Sequence, residues 1–411
     1  MILTTWTSSR EGSELKGLLM MRSGAGADPS SIRRWNEFTV VAALRERGPM
    51  RVSQLSQATG LTAAPLGEVL VGLQDKGWVS VQAVTAGERG RPAKVYGITM
   101  LDACVLGVDV GGHMVRAVLV AMDNSVWGSH EIELDVRDEQ ERCAAVRTAV
   151  ARCVAEAKTS EIWACGVAVG GYLSEEGEVI RSVAIPEWEG RHPDRLLAPH
   201  LPMRPMLVND VRAAVWAEHV VGVAQGYNDV LLVSLGRRPT LGLLLGGAPH
   251  AGAQRLAGDM SRHSSMPDES SMHWLERYSA RSDALGDAVR DALAGDAASR
   301  EAIRSHVAQI GPQLALAASV IDPEVVILSG AMARAAEIFL GDLTAQFEEN
   351  LQRAPRIEVS TLDQFAPARG AALLTMRHLM GAMASPVHGL MPLGTENVRA
   401  VLDAEQSPML C

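Results

Sequence analysis

Residues 104–123 read CVLGVDVGGHMVRAVLVAMD, and this stretch decides the fold of most of the chain. One apolar run meets Gly111-Gly112 and a second apolar run follows, which is the pattern of a strand, a glycine turn and a second strand. Downstream the texture keeps alternating. A helix is expected at about 139–158 and a strand at 163–169. MLVND (206–210) reads as a strand leading into the helix VRAAVWAEHVVG (211–222). Residues 229–236 and 241–247 pair as strands, helices cover about 285–322, and the strand VVILSG (325–330) precedes the helix ARAAEIFLGDLTAQFEENL (333–351). Strands interleaved with helices over two similar halves imply an α/β body of two lobes with a cleft between them.

Upstream, residues 31–99 have a different texture. Trp35, Phe38, Val41 and Leu44 recur at helical spacing and the run ends at Gly48-Pro49, a helix stop. Val52–Thr59 forms a second short helix closed by Gly60. Thr62 is placed as the N-cap of a third that runs through Lys76 to Gly77. Two β-rich runs, Trp78–Val84 and Val95–Thr99, flank TAGERGRPAK. Three helices and a two-stranded ribbon with a basic loop make a winged helix-turn-helix. The expected organisation is a flexible arm (1–29), this winged helix (30–100), body lobe 1 (103–226), body lobe 2 (227–384) and a loose tail (385–411). Met20 and Met21 offer alternative start positions.

Charge supports the division. The 411 residues carry a formal charge of −10, yet residues 31–99 hold nine Lys/Arg against five Asp/Glu, so this segment is at +4 and the rest at −14. A basic module on an acidic body is the asymmetry of a chain in which one domain meets a polyanion. No apolar run approaches the roughly 18 residues of a membrane span, so no membrane partner is expected. The first residues lack the pattern of a secretory signal, which leaves the cytoplasm as the expected location. The five cysteines are scattered, with no C-x-x-C spacing, and read as core residues and one tail thiol rather than a disulfide framework or a zinc site.

In the winged helix the third helix opens with LTAAPLGEV, the end that faces base edges in such motifs. Thr62 can donate to a base or phosphate, and Ala63 or Ala64 can touch a thymine methyl. Arg89, Gly90-Arg91-Pro92 and Lys94 form a wing suited to a narrow minor groove. Arg33, Arg34 and Arg51 are candidate phosphate contacts. A three-helix protein-interaction module with solvated basic residues is the competing reading.

RRWNEFTVVAALRERGPMRVSQLSQATGLTAAPLGEVLVGLQDKGWVSV with GRPAK, then LGVDVGGHMVRAVLV, GVAVGGYLSEEGEVI, VNDVRAAVWAEHVVGVAQG, HAGAQRLAGDM and VVILSGAMARA, resemble in order the ROK (repressor, open reading frame, kinase) family, repressor branch. The resemblance spans about residues 31–380. It implies a winged helix joined to an actin/hexokinase-like, ribonuclease H-like body, a homodimer or homotetramer, a double-stranded DNA operator, and a sugar or sugar-phosphate effector. No cofactor is expected.

Residue by residue, Asp109, Gly111 and Gly112 match the family's first phosphate turn, with His113 where threonine is usual. Asn209-Asp210 match its sugar-binding pair, in which the aspartate is the base, although Asn-Asp before a helix is also an ordinary N-cap. The second phosphate segment of the family is a run of small residues. Here Gly236 and Gly242 remain, while Arg237, Arg238, Pro239 and Thr240 stand between them; proline removes a donor and bulky side chains block backbone approach. Loss of ATP binding is therefore expected, with no catalytic residue in use and Asp210 a vestigial base. Gly171, Asn209, Asp210, Asp259 and Arg262 are the expected effector contacts, Arg262 standing where the family has histidine. The family's cysteine zinc cluster has no counterpart, so no metal is expected. Arg237, Arg238 and Arg262 suit an anionic effector or simply face the acidic body. A sugar kinase with a DNA-binding head, and a regulator whose body only binds proteins, are the alternatives.

Overall fold

The computed structural model describes residues 29–82, 94–99, 103–134, 138–157, 161–236, 239–260, 269–278, 283–385, 389–404 and 408–411. They divide into two units. One takes the described residues up to Ala103 with those of Met376–Gln406, and the other takes Cys104–Thr375 with the described part of Ser407–Cys411.

The first unit opens with α1 (Pro29–Arg47), β1 (Met50–Arg51), α2 (Val52–Thr59), α3 (Ala63–Asp75), β2 (Val79–Gln82) and β3 (Val95–Ile98). Phe38, Val41 and Leu44 lie on one stripe of α1 and are buried with Leu55 of α2, Leu66, Val69, Leu70 and Leu73 of α3, and Trp78. Gly60 ends α2 in the left-handed region (φ 72°), donating its N–H to Ser56 O at 2.9 Å, and this turns the chain into α3. The expected two-stranded ribbon is corrected to a three-stranded sheet of order β1-β3-β2. Met50–Arg51, between the first two helices, pairs antiparallel with Val95–Tyr96.

In the second unit one sheet contains β4 (Cys104–Val110), β5 (Met114–Ala121), β6 (Val126–Glu133), β7 (Ile162–Val169) and β10 (Met206–Asn209), with α4 (Glu139–Glu156), the hairpin β8 (Tyr172–Leu173) and β9 (Val179–Arg181), and α5 (Pro193–Leu197) in the connections. Its order is β10-β7-β4-β5-β6, parallel from β10 to β4 and antiparallel from β4 to β6. α6 (Asp210–Val221) leads to a second sheet of β11 (Val230–Ser234), β12 (Thr240–Leu245), β13 (Ala248–Pro249), β14 (Val325–Ser329) and β15 (Arg356–Val359). Read from its parallel edge, β15-β14-β11-β12-β13, it repeats the first sheet: two parallel pairings, then two antiparallel ones. This duplicated topology is the two-lobed actin/hexokinase-like arrangement.

Strand alternation distributes the layers. Cys104, Leu106, Val108 and Val110 join the core formed with Cys143, Val146, Ala149 and Cys153 of α4. The opposite face of β4 offers Gly107, and there α10 (Ala366–Met383) comes so close that a Cβ would lie 2.0 Å from Ala368 O. In the second lobe α7 (Ala284–Leu293), α8 (Ala297–Ile321) and α9 (Leu340–Asn350) cover the sheet with Val289, Ile303, Val307, Ile310, Leu314 and Phe347. The helices expected over about 285–322 are α7 and α8, and Asp296 caps α8 by accepting from Ser299 N.

The chain then returns to the first unit through β16 (Ala384–Ser385), β17 (Gly389–Leu390) and α11 (Thr395–Ala404). The expectation of a loose tail over 385–411 is corrected for the described part. β17 packs on α1, Trp78 Nε1 donates to Met391 O at 2.6 Å, and Leu393 N donates to Lys76 O at 2.8 Å.

Candidate functional site

Two places bring the expected residues together. In the first unit the start of α3 is presented outward. Thr62 occupies the N-cap position without a side-chain cap bond, and Thr62, Ala63, Ala64 and Pro65 are exposed while Leu66 and Val69 hold the helix on the core. Arg51 is exposed beside the capping contact in which its N–H donates to Gln54 Oε1 at 2.8 Å. Arg33 is exposed and 3.6 Å from the buried Glu37, which also receives Lys76 Nζ at 2.6 Å. Arg34 is half-buried with its Nε inside the protein. Lys94 is exposed at the start of β3. Arg89 and Arg91 lie outside the described residues.

The second place is the carboxyl edge of the first sheet, where parallel sheets leave a crevice for ligands. The register sets Asp109 beside Ala168 and Asn209 beside Val169, so Asp109, Gly170-Gly171 and Asn209-Asp210 are delivered to one edge by three parallel strands. Backbones crowd there. A Cβ on Gly112 would lie 2.7 Å from Ala184 O, and one on Gly171 2.9 Å from Arg181 O. Asn209 takes the N-cap role and braces the strand edge. Its Oδ1 caps α6 by accepting from Arg212 N at 3.1 Å, and its Nδ2 donates to Gly171 O at 3.0 Å and Asp210 Oδ1 at 2.9 Å. The Asp210 carboxylate also receives Val211 N–H at 2.8 Å.

Electrostatics couple these groups. Burial raises the Asp109 carboxyl above its ordinary range, opposed by Arg116, whose Nη1 is 3.4 Å from Asp109 Oδ2. Burial and then the Asp109 charge push Asp210 up to about 7, against the Val211 N–H. Burial and then Asp259 and Asp210 raise the Tyr172 hydroxyl. Asp210, Asp259 and Tyr172 therefore share one field, and a carboxyl that titrates near neutrality is fit to accept a proton from a bound hydroxyl.

Gly242 has a structural use. A Cβ there would be 2.7 Å from Val211 O, so this glycine lets β12 pass close to α6. Gly242→Ala is expected to lower stability by about 1–3 kcal/mol, measured by urea denaturation; an unchanged midpoint would contradict the close approach. Gly236 follows Leu235, whose N–H reaches Ser329 O at 2.7 Å. Arg237, Arg238 and Arg262 lie outside the described residues.

The family model described as ROK family matches residues 105–273 and 274–378. This chain belongs to the ROK family. Its ROK body is similar over 164 residues to the glucokinase of Streptomyces coelicolor, at 23% identity, spanning 40% of this chain and 50% of the glucokinase. This chain thus spans half the length of that relative. Over 386 residues it is 20% identical to the DNA-binding transcriptional dual regulator NagC of Escherichia coli K12, covering 86% of this chain and 95% of NagC. Among solved structures, a ROK family transcriptional regulator, a homolog of the E. coli MLC protein, superposes with a TM-score of 0.66 at 18% identity, covering 87% of this chain and all of that one. No helix among the described residues is long and apolar enough to cross a membrane.

Some parts of the ROK body carry no family motif and were not legible as site residues. Arg142, 0% exposed, donates to Gly111 O and to Glu187 Oε1 at 2.7 Å, fastening the glycine turn to the Pro186–Trp188 turn. Ser182 Oγ donates to Gly170 O and accepts from Ile185 N. Arg212 and Arg255, 43 residues apart in sequence, are brought together through a bond from Arg212 Nη2 to Arg255 O.

Proposed function

We propose that this chain is a DNA-binding transcriptional regulator of repressor type, whose ROK body binds a carbohydrate-derived effector, mediates assembly into a dimer or tetramer, and no longer phosphorylates sugar. The observation that carries it is the exposed start of α3, Thr62 to Pro65, on a helix-turn-helix that shares its chain with a ROK body. Thr62, Ala63 and Ala64 would meet base edges. Arg33 and Arg51 would meet phosphates, and Arg89, Arg91 and Lys94 of the wing would meet the minor groove. Paired heads in a symmetric assembly would read a roughly palindromic operator. An effector in the cleft shifts DNA affinity only by binding two states differently. A footprint on the DNA flanking its own gene tests this. Protection of two half-sites about one or two helical turns apart is expected; protection without any symmetry or sequence preference would count against a regulator.

One observation favours a second reading. Asp210, held near neutrality at the strand edge, suits the base of an ATP-dependent sugar kinase. ATP-dependent phosphorylation of a hexose that is lost in Asp210→Asn would establish that reading in place of the first.

A further inference from the structure

Arg212 is buried to 1% exposure, yet its Nε and Nη1 have no hydrogen-bond partner among the described residues. Its remaining nitrogen, Nη2, donates to the carbonyl of Arg255 rather than to a carboxylate. A buried guanidinium with two nitrogens lacking an acceptor is costly unless an anion or acceptor visits it. Arg255 has a left-handed backbone (φ 57°), a conformation tolerated in a non-glycine residue where the surroundings require it. Its Nη2 donates to the backbone oxygen of Cys411. Burial holds the Arg212 charge down, and the first opposing influence is Cys411, ahead of Tyr172 and Asp210.

The segment that brings Cys411 there is a short graft. Leu207 N donates to Pro408 O at 2.5 Å and Leu410 N to Leu207 O at 2.8 Å, so Met409 bridges in parallel to β10 on the open edge of the first sheet. Pro408 lies over Gly177, and Met409 and Leu410 are buried. Strand addition at a sheet edge is a reversible mode of peptide binding.

We propose that Arg212 and Arg255 form an anion subsite beside Asn209-Asp210, that the segment Pro408–Cys411 covers it in the ligand-free chain, and that a carbohydrate bearing a carboxylate or a phosphate displaces this segment. Planar guanidinium donors suit both groups. The inference rests on the reading of the cleft as a carbohydrate site.

Cys411 reports on the segment, since Cys104, Cys143, Cys153 and Cys165 are all buried. The rate of maleimide labelling of Cys411 in the full chain is measured with glucose, glucose 6-phosphate and glucuronate, alongside a thermal melt. The expected result is labelling at least about ten-fold faster with one of the two anionic sugars, the phosphate or carboxylate arm naming the group, and no acceleration with glucose. Arg255→Ala is expected to label fast without ligand and to lose the response; it stands beside Arg212→Met, whose buried position makes folding sensitive. Equal acceleration by glucose, or an unchanged rate with both anions, overturns the subsite. If glucose raises the melting temperature while both anions leave Cys411 unchanged, the subsite fails and the carbohydrate reading stands. If no sugar changes either readout, both fail.

Discussion

Arg142→Ala is expected to cost about 2–4 kcal/mol of folding stability, from a carbonyl left unsatisfied inside the protein and the cavity left by the side chain, since its partner Glu187 reaches solvent. The guanidinium is fully buried, makes two bonds to Glu187 and one to the carbonyl of Gly111, and lies 5.9 Å from the Trp188 ring centroid. Removing it leaves the Gly111 carbonyl unsatisfied inside the protein and opens a cavity beside Trp188. Arg142→Lys keeps the charge but cannot reproduce the fork, so it should recover only part of the loss. Equilibrium urea denaturation of the three proteins checks this. A loss below about 1 kcal/mol for the alanine variant would mean that the glycine turn is held by something else.

The second large effect has the opposite sign. Asp210 titrates at about 7 in the folded chain against an ordinary value of 3.8. The folded state therefore holds this proton where the unfolded state has already released it, and stability falls as pH rises from about 4 to about 7. Asp210→Asn removes that cost. It should stabilise the protein by about 2–4 kcal/mol at pH 8 and by little at pH 4.5. The amide keeps an oxygen to accept from Val211 N. Denaturation of both proteins at the two pH values is the measurement, and an equal difference at both would show that Asp210 is not held protonated by its surroundings.

These two residues also mark the limit of what the sequence makes legible. Asp210 follows Asn209 directly, at the end of an apolar run, so strand end, cap and carboxylate can be read from adjacent letters. Asp109 with Gly111-Gly112 is similarly local. The duplicated lobe topology follows from alternating patterns that each span few residues. Arg142 is different: nothing local distinguishes it from the other arginines, and its partners Gly111 and Glu187 lie 31 and 45 residues away. Arg255 and Cys411 are 156 residues apart. Gly242 illustrates a further difficulty. It reads as a remnant of a phosphate loop, yet the backbone of α6 at Val211 requires it. Residues 389–404 look loose because their order comes from docking on α1, Lys76 and Trp78 rather than from a strong pattern of their own.

The most direct measurement of the regulator reading is the affinity of the full chain for its footprinted DNA, by fluorescence anisotropy, as neutral and anionic hexoses are titrated at fixed salt. Binding at least about a thousand-fold tighter than to unrelated DNA, weakened or strengthened by one of those ligands and with no turnover of ATP, is the expected result. DNA binding no stronger than to unrelated sequence, together with ATP-dependent phosphorylation of a hexose, would contradict it.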